Sequence, residues 1–168
     1  MARFLETIDL PLAPDAAFDL LSDWSRLPEW DPSAVSATRL DGGPIARGSR
    51  FRVVVSFLGR ELGLDYRIRE FERPERVVFA ARSGGLHSLD EISFTRRGSG
   101  TRVTYDARLE LGGLARLADP LLQIAFGFLG RAAVRGLEAR AAAIAEDEAR
   151  AGAAAAPRAR RAGAGRGR

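Results

Sequence analysis

Between Val35 and Leu111 apolar and polar residues alternate with a period of two, broken at intervals by glycine, proline and aspartate. Successive side chains of a strand point to opposite faces, so this pattern predicts antiparallel strands with one apolar and one solvated face. The strands fall at Val35–Asp41, Ser49–Leu58, Glu61–Phe71, Arg76–Arg82, Leu86–Arg96 and Thr101–Leu111. Phe51, Val53, Val55 and Phe57 oppose Arg50, Arg52 and Ser56; Leu62, Leu64, Tyr66 and Ile68 oppose Asp65, Arg67 and Arg69. On the last strand Val103, Tyr105, Ala107, Leu109 and Leu111 face one way and Thr104, Asp106, Arg108 and Glu110 the other. Gly42-Gly43-Pro44, Gly59-Arg60, Arg73-Pro74-Glu75, Gly84-Gly85 and Arg97-Gly98-Ser99-Gly100 supply the turns.

Helical signals flank this block. Phe4–Leu10 reads as a first strand that Pro11 ends. Pro14 suits a first helical position, Asp15 complements the positive end of the helix dipole, and Ala17, Phe18 and Leu21 share one face. Trp24 to Trp30 forms a second short helical turn, bounded by Pro28 and Asp31-Pro32. After Gly112-Gly113 one long helix runs from about Pro120 to Glu148, with Asp119 as its cap and Leu121, Ile124, Ala125, Phe128, Ala132 and Leu137 as its apolar stripe. The layout is α+β: a seven-stranded curved antiparallel sheet wrapped around a long C-terminal helix, with two short helices after the first strand. A twisted sheet curled around a single helix leaves a hollow that side chains need not fill.

Composition narrows the chemistry. The 168 residues include no cysteine and one histidine, His87, which excludes thiolate metal sites, cysteine nucleophiles and any site needing two imidazoles; no metal is expected. Lysine is absent too, which removes the Walker phosphate loop and Schiff-base chemistry. Gly163-Ala164-Gly165-Arg166-Gly167 has neither a strand before it nor a helix after it, so it is no dinucleotide fingerprint, and no cofactor is expected. The net charge is +4, but residues 149–168 hold six arginines and no acid, leaving −2 on residues 1–148. Such a domain lacks a nucleic-acid footprint of its own. Residues 1–148 read as the folded domain and 149–168 as a disordered Ala/Gly/Arg tail, available for weak contact with anionic partners. Glu6 and Asp9 interrupt any secretory signal, and Leu121–Gly130 falls short of the roughly 20 residues of a spanning helix, so a cytoplasmic protein without a membrane span is expected.

The segment from Ala13 to Asp23, followed by Leu27-Pro28-Glu29-Trp30, resembles the opening of the START-like helix-grip superfamily (SRPBCC) in its polyketide cyclase/dehydrase branch. Glu70 to Val78 resembles that family's strand–proline–strand corner and Gly100 to Tyr105 its penultimate hairpin. The resemblance spans roughly residues 2–148 and implies a hydrophobic pocket for an apolar or aromatic small molecule, with Trp30 beside its mouth.

Parity places candidate chemistry. If Ile92 and Phe94 point inward, so do Leu86, Ser88 and Asp90, while His87 and Glu91 point out; a slip of one residue near Leu86 would exchange Asp90 for Glu91. An inward Asp90 would be desolvated and could serve as a general acid or base or fix a ligand hydroxyl, with Tyr66 and Tyr105 as companions, unless a bulge turns it outward or an arginine pairs with it. A triad built on His87 would need Ser83, Ser88 or Ser93, none of which sits in a nucleophile elbow. The expected cavity wall is Trp30, Phe51, Val53, Val55, Phe57, Leu64, Tyr66, Ile68, Ser88, Asp90, Ile92, Tyr105, Ala107, Ile124 and Phe128. The leading expectation is a module that binds a polyketide-like, isoprenoid or lipid molecule. The alternatives are a polyketide cyclase/dehydratase-type enzyme acting in the same cavity, and an interaction protein working through the tail.

Overall fold

The computed structural model describes residues 1–57, 59–112 and 119–155, the last stretch from 119 to 122 and residue 155 as backbone only. Strand β1 (Ala2–Leu10) is followed by helix α1 (Pro14–Ser22) and a 3₁₀ turn (Trp24–Glu29). Strands β2 (Ala34–Arg39), β3 (Arg50–Phe57), β4 (Arg60–Glu72), β5 (Arg76–Ser83), β6 (Leu86–Arg97) and β7 (Gly100–Leu111) then lead to helix α2 (Asp119–Ala155). The expected cap at Asp119 concerns a side chain outside the described residues.

All seven strands form one antiparallel sheet in the order β1-β7-β6-β5-β4-β3-β2, so each hairpin neighbours the next and β1 closes onto β7. Turn chemistry sets the registers. Gly84 and Gly85 have φ of 53° and 83°, the two positive values that a two-residue β5–β6 hairpin requires. A bulge between Ile68 and Glu70 breaks the alternation of β4 and brings Phe71 against the core, where its ring meets Phe18 edge-on at 5.0 Å.

The sheet has a dry face and a wet one. Outward acids take arginine partners across the strands: Asp9 with Arg102 and Asp106 with Arg3, both at 2.8 Å, and Asp65 with Arg52 at 2.5 Å. The Asp9 and Asp65 pairs are largely exposed and contribute little each, whereas Asp106 is buried. Arg73, at the β4–β5 corner, holds Asp19 of α1 at 2.5 Å and Asp15 at 3.2 Å. On the dry face the rings pack into a block under α1 and the 3₁₀ turn: Phe18 against Phe94, and Trp24 stacked on Phe79 at 4.0 Å with its edge toward Tyr66.

Helix α2 closes the other side. Leu137 and Ala141 are fully buried, with Ala133, Val134, Ile144 and Ala145 packed beside them. Of the expected stripe Leu137 holds the centre of this face, but Ile124 and Phe128 are 60% and 65% exposed, and the side chain of Leu121 lies outside the described residues. Two glycines explain the difference. A methyl group on Gly130 would lie 2.5 Å from the Phe4 ring, and one on Gly136 only 2.0 Å from the Trp30 carbonyl oxygen. The helix therefore presents its smallest residues where its backbone comes closest, a face that a search for large apolar side chains passes over. Arg140 fastens the same stretch to Glu29 at 2.8 Å.

The helix also continues past Glu148 to Ala155, which corrects the expectation that order stops at residue 148. Alanine is the strongest helix former, and Arg150 pairs with Asp147 at 2.7 Å and Glu146 at 3.4 Å on the same helix. Residues 156–168, the rest of the expected tail, lie outside the described residues.

Because backbone cannot yield to a new methyl group, Gly136→Ala should lose about 1–3 kcal/mol in urea unfolding despite its better helix propensity. Gly152→Ala, where nothing lies within 4 Å, should be neutral or stabilising. Equal effects of the two changes would contradict the close approach.

Candidate functional site

Between α2, the 3₁₀ turn and the inner face of the sheet lies a cavity of about 280 Å³, just under the roughly 300–1,000 Å³ typical of small-molecule sites. The aromatic block fills one end of the dry face, and the glycine-set path of α2 leaves the other end unfilled. Val53, Val55, Leu64, Leu109, Val134 and Leu137 make much of the wall apolar. Its polar side chains are Asp31, Ser33, Tyr66, Ser88, Asp90 and Tyr105, with Glu6 at the exposed edge, and two further lining residues, Trp24 and Trp30, carry buried indole N–H groups without a hydrogen-bond partner.

The polar cluster follows from strand register. Tyr66, Ala81 and Ser88 lie in one row across β4, β5 and β6. The small Ala81 lets the Tyr66 hydroxyl reach over β5 and donate to Ser88 Oγ at 3.0 Å. Ser88 Oγ in turn donates to Asp90 Oδ2 at 2.9 Å, two residues along the same face of β6. Tyr105, diagonal to Asp90 across the β6–β7 ladder, donates to Oδ1 at 3.1 Å. Asp90 is thus the terminus of a chain of donors on an otherwise apolar surface.

Its electrostatics follow from that position. Burial pushes the Asp90 carboxyl from the ordinary 3.8 up to about 7; the bonds from Ser88 and Tyr105 pull it down, while the charges of Asp31 and Asp106 add to the rise. Asp31 also sits above its ordinary value through burial, opposed by bonds from the Ser33 amide at 2.8 Å and hydroxyl at 2.7 Å. Burial, reinforced by the nearby Asp90 charge, raises both phenols well above their usual range, so they remain neutral donors.

Of the residues expected from the sequence, Trp30, Val53, Val55, Phe57, Leu64, Tyr66, Ser88, Asp90, Tyr105 and Ala107 surround the cavity. Phe51, Ile68 and Ile92 point inward but are buried at 0%, 1% and 0% exposure within the packed core, away from the cavity wall. Ile124 and Phe128 stand on the exposed side of α2, and Phe126, Leu129 and Gly130 line the cavity from that helix. His87 is exposed on the outer face, and Glu91 points outward to Arg76 at 2.8 Å. Sequence reasoning missed Asp31, read only as a helix stop before Pro32. Its signal was the Asp-Pro-Ser run, in which the carboxylate accepts from the amide two residues on. Trp24, Leu27 and Glu6 were missed as well.

Among the described residues no group of three or more potential metal ligands comes together, and no helix is long and apolar enough to cross a membrane.

The sequence profile of the family described as "Polyketide cyclase / dehydrase and lipid transport" matches residues 1–142, and the chain belongs to that family. The fold is that of the START-like helix-grip proteins. A START superfamily protein from Mycobacterium smegmatis superposes with a TM-score of 0.74 at 15% identity, over 86% of this chain and 99% of that one. A protein from Thermus thermophilus gives 0.73 at 20% identity, over 84% and 98%. The di-domain ARO/CYC StfQ from the steffimycin biosynthetic pathway gives 0.67 at 16%, over 90% of this chain and 52% of that one. No curated protein matches the chain in sequence.

The raised Asp90 pKa fixes a sign. Between 3.8 and about 7 the folded chain keeps a proton that the unfolded chain has released, so stability from this group is complete at low pH and is lost as pH rises to about 7. Urea unfolding should show the wild type losing about 2–3 kcal/mol from this group between pH 5 and 8. Asp90→Asn should lack that portion of the slope. Parallel pH profiles for the two proteins would refute the assignment.

Proposed function

We propose that the chain binds one small, largely apolar molecule with a polar end, of polyketide-like, isoprenoid or lipid origin, in the cavity between sheet and α2, without covalent chemistry. The observation that carries this reading is the unfilled hollow of about 280 Å³, apolar except for the cluster around Asp90. A folding core has no use for such a void, since unfilled volume costs stability. Membership of a family whose description includes lipid transport supports it.

One observation favours a second reading, a cyclase/dehydratase-type enzyme. A buried acid that titrates at about 7 is suited to give and take protons near neutrality. An Asp90→Asn protein that keeps its ligand but no longer converts it would decide for the enzyme; retained conversion would exclude Asp90 as its proton donor.

Filling the hollow separates binding from folding. Neutral 4-phenylbutan-1-ol should bind the wild type at one equivalent in calorimetry. Ala107→Phe and Val134→Phe, each placing a ring in the cavity, should weaken it at least tenfold without lowering the melting temperature by more than a few degrees. Phe128→Ala, on the exposed face, should leave binding unchanged. Equal binding by the filled variants would place the ligand elsewhere.

A further inference from the structure

Many of this protein's acids are paired with arginine. On the outer surface Asp9, Asp19, Asp65, Asp106 and Glu91 each have an arginine within 2.8 Å. Glu29 has two, Arg26 at 2.9 Å and Arg140 at 2.8 Å. At the cavity the pattern stops. The charged groups there are Glu6, Asp31 and Asp90, and no arginine or histidine lines it among the described residues. In a chain whose 26 basic residues are all arginine, a counter-ion would be easy to place.

The hydrogen bonding points the same way. Ser88 and Tyr105 each use their proton on Asp90, and Tyr66 uses its own on Ser88, so the cluster presents acceptor lone pairs to the cavity. Asp31 has the same character: both bonds from Ser33 fall on Oδ1. A buried carboxylate without a counter-charge is costly, and a cation brought by a ligand offsets that cost where a neutral group supplies one hydrogen bond only. A ligand carboxylate would add like charge to a desolvated site.

Resting on the binding reading above, we infer that the cavity selects amphiphilic amines, compounds with a compact apolar body and one protonated amino group that seats between Asp90 and Asp31, and that it rejects fatty acids of the same size. The groups that face this position are Glu6 from β1, Asp31 after the 3₁₀ turn, Tyr66 from β4, Ser88 and Asp90 from β6, and Tyr105 from β7. The α2 residues at the cavity, Phe126, Leu129, Gly130, Ala133, Val134 and Leu137, carry no titratable group.

Three probes of one skeleton test the inference: 4-phenylbutylamine, 4-phenylbutan-1-ol and 4-phenylbutanoic acid, titrated by calorimetry at pH 8. The amine should bind at least tenfold more tightly than the alcohol, and the acid at least tenfold more weakly. The amine's advantage should shrink at least threefold at pH 5.5, where the amine stays charged but Asp90 gains its proton. In Asp90→Asn the ratio of amine to alcohol affinity should fall to near one, whereas Phe128→Ala, on the exposed face of α2, should leave it unchanged. Asp31→Asn should reduce it by a smaller factor. If the acid matches the amine, or the advantage survives both substitutions and the change of pH, the inference is wrong. If the alcohol binds and the amine binds no better, this inference fails and the binding reading stands. If none of the three binds, the binding reading itself fails. The pH comparison needs only the wild type, so it holds even where a variant does not fold.

Discussion

The approach of α2 to the rest of the domain governs everything inside it. At Gly136 the helix backbone is held against the Trp30 carbonyl, at Gly130 against the Phe4 ring, and Arg140 locks the register through Glu29. With the helix fixed at those points, its inner face passes over the sheet rather than into it. Rings from α1, the 3₁₀ turn and the strands fill the space under Phe18 and Trp24. The space toward Asp90 is left open. The cavity is thus a consequence of where small residues and large rings fall along two elements.

The cavity also inverts the electrostatic logic of the outer surface. Outside, acids and arginines alternate across strands, exposed and individually weak. Inside, a single carboxylate accepts from two hydroxyl groups, one of them backed by the Tyr66 hydroxyl, in a desolvated setting, and two further acids share the same space. Such a constellation weakens the fold near neutral pH and gives a ligand something to compensate, which is the trade expected of a functional site rather than of a core.

Much of this was legible in the sequence, and the reasons are physical. Period-two alternation runs along most strands because the inner face is buried, so strand number and the preferred inward parity of Ser88 and Asp90 could be read from it, while the bulge between Ile68 and Glu70 could not. Glycine pairs such as Gly84-Gly85 marked hairpins because their φ values are open to few other residues. The helix face was legible only at Leu137. It is built from Gly130, Ala133, Gly136 and Ala141 together with Leu137, whereas Ile124 and Phe128 carry the stronger apolar signal and face outward. Which inward residues meet empty space was equally hidden: Phe51, Ile68 and Ile92 have the same parity as Val53, Leu64 and Asp90, and only packing against the rings separates them. Asp31 escaped notice because a carboxylate before proline reads as a turn, and its proximity to the cavity depends on contacts far apart in the chain.

At the centre of the site Asp90 is a buried carboxyl without a counter-charge, facing a cavity. The most direct test of that state is a carbon-13 NMR titration of the Asp90 side-chain carboxyl, assigned by comparison with Asp90→Asn. The expected midpoint is about 7, far above the ordinary 3.8. A midpoint near the ordinary value would mean that Asp90 is solvated or paired with a cation, and would contradict both the desolvation of the carboxyl and the selectivity drawn from it.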